Sequence, residues 1–124
     1  MKDNDSGLKN GATLIQLICG GRLTSVDFVL NYLVLGFDHR GALTALVWPE
    51  ICGGENTVKF GMSGYRDRLC EMVAMVITDV SITFDETIII GFGNDLRLRI
   101  PLRECKTPGE RAIVTAPKHH LYVW

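Results

Sequence analysis

A chain of 124 residues, 47% apolar and 22% charged, with a formal net charge of −1, has the size of one domain with its own core. That charge excludes a general nucleic-acid binder, which needs a basic surface to displace counterions. The same numbers neither favour nor exclude an acidic small-molecule substrate.

The chain opens on "MKDNDSGLKNGA", which lacks the basic, long apolar and small-residue order of a signal peptide. Residues 1–11 are polar and rich in Gly and Asn, so they are expected as a loose arm ahead of a single domain over 12–124. The apolar stretch Ala12 to Cys19 is too short to span a bilayer, and a cytoplasmic protein without membrane contact is expected. Cysteines stand at 19, 52, 70 and 105. No two form a CxxC pair and none has a histidine at ligand spacing, so reduced thiols are expected.

Strand patterning dominates the rest of the chain. "RLTSVDFVLNYLVLGF" (22–37) alternates at its start and then becomes continuously apolar, which suits two strands with a bend near Leu30-Asn31. "DHRG" (38–41) punctuates, and "ALTALVW" (42–48) is a further strand stopped by Pro49. Residues 49–64 hold no sustained period and are expected mostly as loop. Next, Ser63 is an expected N-cap for a helix of about ten to twelve residues. Its buried stripe is Tyr65, Leu69 and Val73, widened by Met72 and Val76.

An echo then runs through the chain. "LTSVDF" (23–28) matches "ITDVSI" (77–82), "LVLGF" (33–37) matches "IIIGF" (88–92), and "LTALVWP" (43–49) matches "LRLRIP" (96–101). Two meanders joined by a loop and a helix produce such a series. Each alone is a marginal three-stranded sheet, a reason for the halves to pack together. "RAIVTA" (111–116) and "HLYVW" (120–124) close the chain, after turns at 106–110 and 117–119. The expected fold class is α+β, mainly β: an antiparallel sheet, rolled or in two layers, of about seven to eight strands in two meander-like halves, with one helix.

With these elements in place, the chain resembles a family of small bacterial domains of unknown function. "GRLTSVDF" (21–28) is similar to its opening G-x-x-V strand, "LRLRIP" to its L-x-V-P strand, and "LYVW" (121–124) to its terminal L-x-V-W. "RECK" (103–106) keeps only Glu104 of the family's Y-E-A-W segment, and "PKHH" (117–120) replaces its glycine pair. The resemblance implies the fold and a bacterial source, and transfers no catalytic residue.

The chemistry is sparse. Gly91-Phe92-Gly93 suggests a phosphate loop, yet such a loop must open a helix. The alternation of Leu96, Leu98 and Ile100 with Arg97 and Arg99 marks a strand instead. A hairpin turn with Gly93 and Asn94 at positive φ is expected. Arg97 and Arg99 share one strand face, which Arg103 extends, and arginine forks suit carboxylates or an acidic partner. Asp27 and Asp79 occupy matching places in the echoed strands, near a core able to raise a carboxyl pKa, although most such carboxylates lie on the solvent side of an alternating strand. Trp48 is a core or interface anchor. His119 and His120 point to opposite strand faces and cannot easily chelate one metal ion, and no serine has a nucleophile-elbow setting. No cofactor or metal is expected. The expected function is a non-enzymatic interaction or self-associating module, a homo-oligomer or the binder of an unidentified protein. The alternative is a small-molecule binder or enzyme with its pocket between the two β halves.

Overall fold

A computed structural model describes residues 15–38, 40–83, 87–102, 112–116 and 120–124. The arm at 1–11, Arg103, Glu104, His39, His119 and the turns at 106–110 and 117–119 lie outside these residues. Among the described residues the named elements run in the order β1 (Leu23–Val29), β2 (Tyr32–Phe37), β3 (Gly41–Ala45), β4 (Glu50–Gly53), β5 (Asn56–Val58), α1 (Tyr65–Glu71), β6 (Asp79–Thr83), β7 (Thr87–Gly91), β8 (Leu96–Pro101), β9 (Ala112–Ala116) and β10 (His120–Val123). They form two five-stranded antiparallel sheets, ordered β1-β2-β3-β9-β10 and β5-β4-β8-β7-β6. The mainly β, two-layer expectation therefore holds, with two more strands than expected. The additional pair is β4–β5, in the stretch expected as loop: strands of four and three residues are too short to display a period of two.

The sheet orders reveal how the halves are joined. Hairpin β4–β5 comes after the first meander in sequence but pairs with β8 of the second. Hairpin β9–β10 comes after the second meander but pairs with β3 of the first. Each sheet thus combines three strands of one half with two of the other. Between the sheets, Leu35, Leu43 and Val114 on one side and Ile90, Leu98 and Ile51 on the other are fully or almost fully buried. These apolar side chains belong to one continuous core cluster.

Repetition extends to single hydrogen bonds. Thr24 donates its hydroxyl to the Gly36 carbonyl at 3.1 Å, and Thr78 donates to the Gly91 carbonyl at 3.2 Å. Gly36 lies opposite Ser25 and Gly91 opposite Asp79. A Cβ on either glycine would stand 2.4 Å from Ser25 Oγ or 2.2 Å from Asp79 Oδ1. The Gly-Phe echo is therefore a place where a polar side chain folds over the neighbouring strand. The two halves meet at an Arg22–Val76 bridge. Around it, Leu23 N–H donates to the Met75 carbonyl and Ile77 N–H to that of Gly21, at 3.1 and 2.8 Å. The reciprocal geometry is that of a pseudo-two-fold axis.

At matching places beside this axis stand Gly20, with φ of 91°, and Ala74, with φ of 80°. A Cβ costs about 1 kcal/mol or more in the left-handed region, partly offset by the flexibility of an unfolded glycine. Ala74→Gly is expected to stabilise the protein by about 0.5–1 kcal/mol, and Gly20→Ala to destabilise it by a similar amount. Urea midpoints with an unchanged m-value would show both.

Helix α1 is shorter than the sequence pattern suggested. Its N-cap is Gly64 in the left-handed region, with no side-chain cap, in place of Ser63. Tyr65, Leu69 and Met72 are buried as expected, whereas Val73 and Val76 are exposed. Beyond Glu71 the chain turns at Ala74 toward the Arg22–Val76 bridge, which ends the helical stripe. The second-meander turn holds positive φ at Gly93 and Asn94 as expected, and at Asp95 too. No phosphate-type helix comes after it, since β8 begins at Leu96.

Candidate functional site

The two sheets present outer faces of opposite character. On the second sheet, register places Asp79, Gly91, Arg97, Cys52 and Thr57 in one row, and Ser81, Ile89, Arg99 and Glu50 in the next. Arg97 and Arg99 share a face, as their alternation required. Arg99 Nη1 donates to Glu50 Oε1 at 2.7 Å, and Lys59 Nζ lies 3.9 Å from Glu50 Oε2. The Glu50 side chain is only 12% exposed, so this pair is better shielded than an ordinary surface ion pair. Asp79 Oδ1 lies 2.9 Å from the Thr78 hydroxyl, whose single proton it shares with the Gly91 carbonyl.

On the first sheet, the corresponding rows read Ser25, Gly36, Ala42, Thr115, Leu121 and Asp27, Val34, Thr44, Ile113, Val123. Matched through their positions relative to the Gly-Phe echo, Ala42 stands where Arg97 does and Thr44 where Arg99 does. Ile113 likewise occupies the place of Glu50. One charged residue, Asp27, remains in these two rows, on the strand at the sheet's edge. Leu121 is 59% exposed and Val123 is also exposed. Asp27 and Asp79 both face outward and are exposed, because the alternation that turns Val26 and Val80 toward the core turns their neighbours to the opposite face. Both lie on the solvent side of an alternating strand, as most strand carboxylates do.

A second cluster forms where the chain passes from β3 to α1. Trp48 stacks on Phe60 with ring centroids 4.0 Å apart and planes 9° from parallel, and Phe60 meets the edge of Tyr65 at 5.7 Å. Tyr65 is 2% exposed, and its hydroxyl donates to the Pro49 carbonyl. Burial, and secondarily the charge of Glu50, raise the Tyr65 pKa well above the usual tyrosine range. Through Glu50, Arg99 is linked to this cluster; Trp48 belongs to it directly. Beside it opens a cavity of about 290 Å3 lined by Phe60, Gly61, Met62, Gly64, Tyr65, Arg66 and Asp67. The Arg66 guanidinium lies over the Phe28 ring, 5.7 Å from its centroid.

Of the residues singled out from sequence, the structure brings Arg97, Arg99 and Asp79 onto one face and places Asp27 on the other sheet. Trp48 lies in the aromatic cluster. Sequence reasoning missed Glu50, Phe60 and Tyr65 as parts of a site. The available signal was the aromatic and methionine content of "KFGMSGY" (59–65) within a Gly-rich segment. Among the described residues no group of three or more His, Cys, Asp or Glu side chains is placed to hold a metal ion, and no helix is long and apolar enough to cross a membrane. Comparison with known proteins gives no matching family model, no matching curated protein and no matching solved structure.

Proposed function

We propose that this protein is a non-enzymatic interaction module that self-associates through the outer face of its first sheet. The observation carrying this reading is the contrast between two faces built on the same strand pattern, one charged and the other nearly uncharged. A single-chain protein without a partner gains nothing from removing charge from one face only, whereas interface centres are depleted in charge. A second copy is the occupant that suits this face. A two-fold axis along β3 sets small residues, Ala42 and Thr44, at the centre and lays β9 over β2, so that Ile113 meets Val34 across it. Asp27 then lies at the solvated rim.

Size sets the strength. Five strands about 4.8 Å apart and about five residues long span roughly 24 by 17 Å. A pair of such faces buries about 800 Å2 in projection, below the roughly 1,200–2,000 Å2 of stable complexes. The expected assembly is a dimer that dissociates in the micromolar range. Sedimentation velocity over a concentration series tests this. Ile113→Lys is expected to raise the dissociation constant more than tenfold, and Arg97→Ala on the charged face to leave it unchanged. A monomer up to several hundred micromolar, or indifference to Ile113→Lys, overturns the reading. The free Cys19, Cys52 and Cys70 fit a cytoplasmic setting, and the family resemblance fits a bacterial accessory protein.

A further inference from the structure

We propose that the cavity beside the Phe60–Asp67 loop binds a free apolar α-amino acid. Its side chain would lie against Phe60 and Met62, and its zwitterionic head between Arg66 and Asp67. The apolar wall is fixed before any ligand arrives. Phe60 is held between the Trp48 face and the Tyr65 edge, and Tyr65 is tied to the Pro49 carbonyl. Yet Phe60 remains 44% and Met62 50% exposed. A rigid, exposed apolar wall in a concavity binds without an ordering penalty of its own.

The polar lining narrows the ligand class. Arg66 and Asp67, of opposite charge, both line the cavity, and among the described residues no ion pair joins them; the Arg66 guanidinium rests over the Phe28 ring, a contact it would give up to meet a ligand carboxylate. A simple carboxylate meets Arg66 but also the repulsion of Asp67, and a simple amine meets the reverse. A zwitterion, with its charges one carbon apart, satisfies both. The cavity volume, about 290 Å3, lies at the lower limit of small-ligand sites, so it suits an amino acid better than a nucleotide cofactor. None of its lining residues belongs to the proposed self-association face, and the two proposals stand or fall separately.

The test is a titration of the 15N-labelled protein with L-phenylalanine, monitored by amide chemical shifts. Saturating shifts confined to residues 60–67 and their neighbours are expected, with a dissociation constant of about 1 mM or tighter. N-acetylphenylalanine lacks the ammonium and phenylalaninamide lacks the carboxylate, so each should bind at least threefold more weakly. Glycine, without the apolar side chain, should not bind detectably. Arg66→Gln and Asp67→Asn should each weaken phenylalanine, and Asp67→Asn should not weaken N-acetylphenylalanine. Both side chains are exposed, so the variants are expected to fold. Shifts that fail to saturate or spread over the molecule overturn the proposal, as does equal binding of phenylalanine and both blocked forms.

Discussion

Replacing Ile90 by alanine is expected to lower the stability of the whole domain by about 2–5 kcal/mol, and to do so in one transition. Ile90 is fully buried on the inner face of the second sheet, between Val80 on one side and Leu98 on the other. Truncation leaves a cavity that a packed two-layer core cannot close. The cost should not stay within that sheet. Its β4–β5 hairpin is continuous in sequence with the first meander, and the first sheet in turn holds β9–β10 from beyond the second. Neither sheet can separate without stripping a hairpin from the other. Far-UV circular dichroism and tryptophan fluorescence should therefore report coincident transitions, lowered by about 10–15 °C for a loss near 3 kcal/mol. Trp124 makes the fluorescence informative, because its amide bonds to the Ala112 carbonyl on the first sheet, the sheet that does not carry the substitution. Leu35→Ala, at the matching place in the first sheet, should have a comparable effect. Two separated transitions in Ile90→Ala would show that the exchanged hairpins do not couple the sheets.

The same exchange explains what the sequence could and could not reveal. Both meanders were legible, because β1–β3 and β6–β8 carry their own alternation and turn residues, and because Gly36 and Gly91 recur for one steric reason. The bend at Leu30-Asn31 and the positive φ at Gly93 and Asn94 came from local rules alone. What local rules cannot give is pairing between distant segments. Nothing in "EICGGENTV" (50–58) announces that Glu50 will lie opposite Arg99, or that β9 will continue the first sheet and not the second. The site suffered from the same limit. Arg97 and Arg99 were correctly placed on one face by periodicity. The contrast with Ala42 and Thr44 emerges only when the two sheets are superposed strand by strand. Asp27 and Asp79 lie on the solvent side of their strands, since alternation sends a carboxylate outward even where its strand neighbours enter the core.

Tyr65 offers the sharpest dependence on pH. In the folded protein its hydroxyl is buried and donates to the Pro49 carbonyl, and its pKa is raised, first by burial and then by the Glu50 charge. An unfolded tyrosine ionises near pH 10. Below that pH both states hold the proton and this contribution to stability is fully present. Above it the unfolded chain releases the proton while the folded one retains it, so stability falls by about 1.4 kcal/mol per pH unit until the raised pKa is reached. Tyr65→Phe removes this dependence and also the hydrogen bond. At pH 7 the variant should be less stable by about 1–2 kcal/mol, because the buried Pro49 carbonyl loses its donor. Between pH 10 and pH 12 the wild type should lose about 2–3 kcal/mol more than the variant, so that the two stability curves meet or cross. Urea denaturation of both proteins at half-unit steps through this range would reveal the crossing. Parallel curves would mean that the hydroxyl titrates alike in both states, and that the ring anchoring the Phe60 wall is not sealed from water.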